Sequence, residues 1–136
     1  MKKTQHAVRK QCGRNELTEA QEQTLLFEWI QYASGKFPEL KFCYHIPNGG
    51  SRNAIEAARL KAQGVKAGVP DIFLPCPRNG FHGLYIELKR KKGGRVSAEQ
   101  RKMIDFLRGQ GFRAEVCEGW EAAKNVIVEY MHEDTL

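Results

Sequence analysis

Four stretches of the chain carry the signals of helices. Two of them begin at a capping-box spacing, in which Thr18 precedes Gln21 and Ser97 precedes Gln100 by three residues. Apolar residues then recur at helical intervals, as in the run from Leu25 to Ala33. The two other helices are predicted over residues 53–64, where Asn53 is a favoured capping residue, and 120–131.

Short apolar runs between these helices predict strands. They cover residues 42–46, 71–74, 84–89 and 113–117, with proline and glycine in the connections. The second and third runs are neighbours along the chain, so we expect them to pair as an antiparallel hairpin. The resulting order, αβαββαβα, predicts an α/β domain in which helices flank a mixed central sheet. We expect one domain over residues 17–136, preceded by a flexible basic arm over residues 1–16.

Composition adds a preference for polyanions. The chain has 136 residues, with 22 Lys and Arg against 16 Asp and Glu, a net charge of +6. Such an excess favours nucleic acid as a partner, although a merely soluble basic protein has the same composition. The start of the chain lacks the apolar stretch of a secretory signal, and no apolar run is long enough for a membrane span. We therefore expect a cytoplasmic protein with no membrane partner.

The four cysteines are far apart in the sequence. Cys12, Cys43, Cys76 and Cys117 form no close-spaced pair, so a zinc ribbon is not expected. In a reducing compartment these residues are free thiols.

Strand alternation brings chemically active side chains together. In the strand over residues 84–89, Tyr85, Glu87 and Lys89 face one side, while Ile86 and Leu88 face the core. The start of one hairpin strand lies beside the end of the next, so Asp71 should approach Glu87. Two close carboxylates repel each other unless a proton or a cation lies between them.

A hard divalent cation suits such a pair. Magnesium is usually held by one or two carboxylates, waters and substrate phosphate. Lys89 would then position a water molecule or stabilise charge on the phosphate, and the loop over residues 89–95 would supply further cations. Taken alone, a Glu-x-Lys on a strand is more often a solvated face, and a Pro-Asp before a strand is common turn chemistry.

The combination of these motifs resembles a known nuclease family. The runs IPNGGSRNAIEAARLKAQGVKAGVPDIFLP (46–75), GLYIELKRKKGGRVSAEQ (83–100) and GWEAA (119–123) resemble the VRR-NUC family of the PD-(D/E)xK superfamily. The resemblance covers about residues 19–130. It implies a restriction-endonuclease-like core and Mg2+- or Mn2+-dependent hydrolysis of DNA phosphodiester bonds. It further implies activity on branched DNA such as Holliday junctions, a homodimer, and a bacterial or phage-infected cell as the setting.

The resemblance also assigns roles to residues. It gives the metal to Asp71, Glu87 and the backbone carbonyl of Leu88, and the catalytic lysine position to Lys89. A first-helix glutamate completes the site. The spacing to Gln23 selects Glu19, with Glu22, one helical turn further, as the alternative. For both glutamates, acids that favour the helix dipole are the ordinary explanation. Gln100 is a further site position, or a helix cap, or both.

Several polar and basic residues are candidates for contact with DNA. They are Asn48, Arg52, Lys61, Lys66, Arg90, Lys91, Lys92 and Arg95. The ordinary explanation for any one of them is a turn or a solvated helix face. The dimer interface stays open, because Leu25, Phe27, Phe81 and Tyr85 fit either an interface or a core. A non-catalytic DNA-binding module on the same fold is the main alternative function. An RNA-binding or protein-interaction domain is a third possibility, and the sequence shows no aromatic-rich RNA-stacking strand that would support it.

Overall fold

The computed structural model describes residues 16–48 and 53–132. Most of the predicted basic arm, together with Cys12 and Arg52, therefore lies outside the described residues. Within them the chain forms a short 3-10 helix at Pro38–Phe42 and eight regular elements. These are α1 (Glu19–Ala33), β1 (Tyr44–His45), α2 (Ala54–Ala62), β2 (Ile72–Leu74), β3 (Leu84–Lys89), α3 (Ala98–Gly109), β4 (Arg113–Glu118) and α4 (Trp120–Met131).

One mixed sheet organises the fold, with strand order β1-β2-β3-β4. The β1–β2 and β2–β3 pairs are antiparallel, so the predicted hairpin of β2 and β3 is present. The β3–β4 pair is parallel, and α3 forms the connection between these two strands. The element order is the predicted αβαββαβα.

Strand alternation sorts side chains onto two faces of the sheet. Leu84, Ile86 and Leu88 of β3 belong to the main core, which also contains Leu26 of α1 and Ile127 of α4. Helices α1 and α4 therefore cover one face. The opposite face is covered by α3, whose Ile104 and Leu107 pack with Ala114 in a smaller cluster. Tyr85, Glu87 and Lys89 share this second face.

The capping signals predicted from the sequence are all present. Thr18 and Gln21 form a reciprocal capping box at the start of α1, as do Ser97 and Gln100 at the start of α3. The Asn53 side chain accepts hydrogen bonds from two backbone N–H groups at the start of α2. These side chains satisfy donors that a helix start would otherwise leave unpaired, which explains why the helix starts were predictable.

The segment before β1 differs from the prediction. The expected strand over residues 42–46 is reduced to Tyr44–His45, and the residues before it form the 3-10 helix. Pro38 stands at the start of that helix, where its missing N–H costs nothing. The fully buried Leu40 anchors the turn, and Phe42 remains 72% exposed. Core packing of one residue therefore overrides the β propensity of its neighbours.

Three of the cysteines are free and buried, as expected: Cys43, Cys76 and Cys117. Burial raises the pKa of Cys43 to about 12, and burial followed by the nearby Glu115 charge raises that of Cys117 to about 12. Both side chains therefore act as small apolar groups rather than as reactive thiolates. None of the described helices combines the length and apolar character needed to cross a membrane.

Candidate functional site

The pairing of β2 with β3 places two carboxylates opposite each other. Ile72 pairs with Ile86, so the next residues outward in the same register are Asp71 and Glu87. The backbone N–H of Leu88 donates to Oδ2 of Asp71 at 2.8 Å. This bond fixes the Asp71 side chain at the end of β3, and the expected approach of the two acids is found.

The backbone of Asp71 is held by the edge strand. The N–H of Ile46 donates to the Asp71 carbonyl at 2.7 Å, and Nδ1 of His45 lies 2.8 Å from the same oxygen. The Asn48 side chain donates to the carbonyl of Val69 at 3.0 Å. Asn48, predicted as a DNA contact, thus has a role in holding the loop that presents Asp71.

Gly68 allows the same loop to pack closely against α3. A Cβ atom at Gly68 would lie 2.5 Å from the carbonyl oxygen of Glu99 and 2.9 Å from the N of Gln100. The backbone φ of +87° at Gly68 is also one that glycine adopts without strain. The loop before Asp71 therefore approaches the first turn of α3 at backbone contact, and only a residue without a Cβ fits there.

Glu87 is almost fully buried, with 2% of its surface exposed. Its Oε1 accepts a hydrogen bond from Nε2 of Gln100 at 2.8 Å and lies 3.2 Å from Nζ of Lys89. Its Oε2 is buried and has no hydrogen-bond donor. A buried carboxylate oxygen without a donor is costly, so this atom marks a place that a proton or a cation would stabilise.

Electrostatics lead to the same conclusion. Burial, and then the Asp71 charge, raise the pKa of Glu87 to about 7, against the lowering effect of Lys89. A hydrogen bond between the two carboxylates would require one of them to be protonated. Near neutral pH, binding of a proton or a cation would therefore stabilise the two carboxylates.

The donor set fits a hard divalent cation. The two carboxylates offer oxygen ligands, and the Leu88 carbonyl is a third. The backbone N–H of Gly119 donates to the carbonyl of Lys89, so the backbone groups of Lys89 face β4. Backbone groups of successive residues in a strand face opposite sides, so the N–H and C=O of Leu88 face Asp71. Within the described residues no cluster of three Asp, Glu, His or Cys residues is present. Waters and substrate phosphate would complete the shell, as is usual for magnesium.

Gln100 performs two tasks at once. Its backbone N–H and its Oε1 form the capping box with Ser97, at 3.1 Å and 2.9 Å. The remaining amide nitrogen donates to Glu87. The cap thus fixes the rotamer that presents Nε2 to the carboxylate, and the two explanations left open by the sequence are compatible.

The structure distinguishes the two first-helix glutamates. Glu19 is exposed in the first turn of α1, whereas Glu22 is only 1% exposed. Oε2 of Glu22 accepts a hydrogen bond from the backbone N–H of Trp120 at 2.7 Å. The adjacent Gly119 N–H donates to Lys89 O, so Glu22 is connected to the end of β3. Of the two, Glu22 is the buried one, and it lies beside the loop after β3, whereas Glu19, which the spacing to Gln23 selected, is exposed.

The predicted basic residues occupy two regions of the surface. Arg90, Lys91, Lys92 and Arg95 are exposed on the loop that follows Lys89. The first three line a cavity of about 160 Å³ together with Glu22. Lys91 is also 3.5 Å from Glu121. The second region contains Lys61 and Lys66, which are exposed at and after the end of α2.

The role of the α4 start was missed in the sequence. Trp120 is half-buried against the main core, and its backbone N–H contacts Glu22. The available signal was Gly119, whose φ of +86° favours glycine. A conformational reason for this glycine would have directed attention to the contact between the α4 start and the loop after β3.

Comparisons with known proteins agree with this geometry. The family described as "VRR-NUC domain" matches residues 17–121. A solved structure described as "VRR_NUC domain protein" is 33% identical, with a TM-score of 0.73, over 85% of this chain and 88% of the other. The search of curated proteins gave no match. The mixed sheet flanked by helices is consistent with the expected restriction-endonuclease-like fold. The chain belongs to the VRR-NUC family, and its domain is of a nuclease type that processes DNA.

Proposed function

We propose that this protein is a divalent-metal-dependent DNA endonuclease that hydrolyses phosphodiester bonds in branched DNA, including four-way junctions. The observation that carries the proposal is the buried Oε2 of Glu87, which has no donor although the Asp71 carboxylate is close enough to raise the Glu87 pKa. A merely structural carboxylate would be expected to have its second oxygen satisfied by the protein. A DNA-binding module has no need for a buried, destabilised acid pair.

Three residues hold the cation in this proposal: Asp71, Glu87 and, through its carbonyl, Leu88. Mg2+ or Mn2+, when bound, would polarise the scissile phosphate and lower the pKa of a water molecule. Gln100 fixes one Glu87 oxygen, and the other has no donor and is available to the cation. The Glu87 carboxylate is therefore oriented before substrate binds. Such preorganisation lowers the activation free energy, because the site does not have to rearrange during the reaction.

Lys89 is the residue we assign to the reacting phosphate. Its ammonium group is 3.2 Å from Glu87, and its side chain is 8% exposed. A cation held in this largely water-excluded position interacts strongly with charge that develops on a phosphate oxygen. Donation from Lys89 to that oxygen would stabilise the transition state more than the ground state.

Glu22 and the basic loop complete the proposal. We assign the first-helix carboxylate to Glu22 rather than Glu19, because Glu22 is buried beside the loop after β3. Arg90 and Lys92 are exposed next to it and would contact phosphates flanking the cut. Such contacts set the register of the DNA without reading its sequence.

We further propose a homodimer, because a branched substrate gives a reason for one. Two symmetric cuts in a junction need two active sites in fixed relation, and C2 pairing provides them. Of the four interface candidates from the sequence, Phe81 is exposed, while Leu25, Phe27 and Tyr85 are half-buried. The large exposed side chains available to an interface include Phe42, Tyr44 and Ile55.

The proposal is tested with a panel of linear, flap and four-way DNA substrates, each in Mg2+ and in Mn2+. We expect cutting of the branched substrates, and sedimentation of the protein as a dimer. The Asp71→Ala and Glu87→Ala variants should bind the four-way DNA but lose cutting by at least about a thousandfold. Retention of DNA without cleavage in either metal would contradict the proposal and favour a non-catalytic module. Wild-type cutting by Asp71→Ala would show that the site is misassigned.

A matched pair of variants separates the two tasks of Gln100. Ser97→Ala removes the Ser97 Oγ acceptor of the capping box and leaves the Glu87 contact, while Gln100→Ala removes the Gln100 Oε1 acceptor of the box together with that contact. Both should lower the free energy of unfolding by about 1 kcal/mol. We expect cleavage to fall by about tenfold to a hundredfold in Gln100→Ala alone. Equal cleavage by the two variants, at matched folded fraction, would assign Gln100 to the cap only.

A further inference from the structure

A surface groove lies between the second half of α1 and α4, with a volume of about 460 Å³. Its walls include three aromatic side chains, Trp29, Tyr32 and Phe37. The Tyr32 side chain is 85% exposed, and Trp29 and Phe37 are half-buried. Aromatic rings that are open to solvent along one groove offer flat apolar surfaces for a ligand with rings of its own.

The groove is also positively charged. Lys36 and Lys124 are among its lining residues, and none of those residues is acidic. Nζ of Lys36 lies 5.3 Å from the Phe37 ring centre, and Nζ of Lys124 lies 5.8 Å from that of Trp29. The ligand that these walls fit therefore combines aromatic faces with negative charge.

Acidic residues on the two helices are directed elsewhere. On α4, Glu121 is paired with Lys91 and Glu129 with Arg113. On α1, Glu28 lines a different hollow beside His45. The five acids of α1 and α4 are thus absent from the lining of the groove.

One end of the groove lies toward the start of α4. Lys124 is also 6.0 Å from the ring of Trp120, whose backbone N–H is bonded to the buried Glu22. At the other end, Phe37 packs edge-on against His132, just after α4. The two helices thus run side by side in the same direction, and the groove leads away from the end of β3.

We propose that this groove binds an unpaired strand of the DNA substrate. Bases would stack on the exposed rings, and the two lysines would contact phosphates, the combination typical of single-strand binding surfaces. The α4 residues that line the groove, Lys124 and Val128, are about 6 Å apart along the helix at 1.5 Å per residue. That length accommodates about two stacked nucleotides at 3.4 Å each. The inference rests on the proposed function, because it supplies a reason for preferring branched DNA to a continuous duplex.

Tryptophan emission gives a direct test, since Trp29 and Trp120 are the two tryptophans of the chain. Wild-type protein in EDTA would be titrated with a twelve-nucleotide oligothymidylate and, separately, with a duplex of the same length. We expect the single strand to quench the emission and the duplex, whose bases are stacked inside, to quench it much less. Equal quenching by both, or none by the single strand, would overturn the proposal.

Substitutions locate the binding surface. Tyr32→Ala should weaken oligothymidylate binding about tenfold, and Tyr32→Phe should retain it, because stacking needs the ring rather than the hydroxyl. Lys124→Gln should make the affinity for oligothymidylate less dependent on salt. The slope of log affinity against log salt concentration should decrease by the contribution of about one phosphate contact. The matched control is Phe106→Ala, an exposed aromatic on α3 in the opposite layer. If Tyr32→Ala and Phe106→Ala bind alike, the groove is not the site.

A second copy of the chain, or an acidic polymer of another kind, would give a different result in these experiments. If Tyr32→Ala changes the sedimentation of the free protein rather than its affinity for the single strand, the groove is an interface between copies. If poly-glutamate quenches as strongly as oligothymidylate, the groove recognises acidic chains in general. Either result contradicts the proposal. Failure of the groove would leave cutting of branched DNA intact, whereas failure of the proposed function would leave single-strand quenching without cutting.

Discussion

Glu87→Gln is expected to stabilise the metal-free protein and, at the same time, to abolish DNA cleavage. The substitution removes a buried negative charge that faces Asp71, and the new amide nitrogen can donate to the Asp71 carboxylate. In EDTA at pH 8 we expect a gain of about 2 kcal/mol in the free energy of unfolding, a rise in Tm of roughly 5 °C or more. Differential scanning calorimetry would measure this gain. Mg2+ or Mn2+ should raise the Tm of the wild type and leave that of the variant unchanged.

The gain should depend on pH in a defined direction. The unfolded Glu87 ionises near its ordinary pKa of 4.5, whereas in the folded protein it ionises at about 7. Between these values the folded state binds more protons, so the wild type loses stability as pH rises through this window. The advantage of Glu87→Gln should therefore be largest above pH 7 and small near pH 5. Glu28→Gln, an exposed acid on α1, is the control and should change the Tm little. A Glu87→Gln protein less stable than wild type at pH 8 would show that the acid pair is satisfied by other means.

Gly68→Ala is the second substitution for which we expect a large effect. Its Cβ would lie 2.5 Å from the Glu99 carbonyl oxygen, which is backbone and cannot rotate away. The loop would have to move off the first turn of α3, and it would carry Asp71 with it. We expect a loss of about 3 kcal/mol in the free energy of unfolding, from overpacking together with strain at positive φ. Cleavage by the protein that remains folded should fall at least tenfold, because the displaced carboxylate no longer faces Glu87.

Gly64→Ala is a matched control for this prediction. Gly64 also has a positive φ, +101°, but a Cβ there would meet nothing within 4 Å. It should therefore show the conformational strain alone, about 1 kcal/mol. Chemical denaturation of both variants measures the difference. If the two lose the same stability, the close contact between the loop and α3 is not a constraint on the site.

Local signals made most of the fold predictable. The starts of α1, α2 and α3 follow from side chains within three residues of each start, and the two faces of β3 follow from simple alternation. The 3-10 helix before β1 was not predictable, because it depends on the burial of Leu40 among residues distant in the sequence. The parallel pairing of β3 with β4 likewise has no local signal, since residues far apart must meet to form it.

The candidate site was predictable where it lies within one hairpin. The approach of Asp71 to Glu87 follows from strand pairing, and the Gln100 position follows from its family motif, while their roles in catalysis remain predictions. The first-helix carboxylate is different, because Glu19 and Glu22 are neighbours in the same first turn. Their environments are set by Trp120, 98 residues from Glu22. No spacing rule within the helix contains that information.

The bond between Glu22 and Trp120 has a consequence for protein synthesis. Asp71, Glu87 and Lys89 are all synthesised before the last strand and helix. Until Trp120 emerges, however, the nascent chain has no backbone donor in place for Glu22, and α1 lacks the helix against which it packs. We therefore expect a chain halted before Trp120 to be inert toward DNA. The cell would meet a cutting enzyme only after the domain is complete.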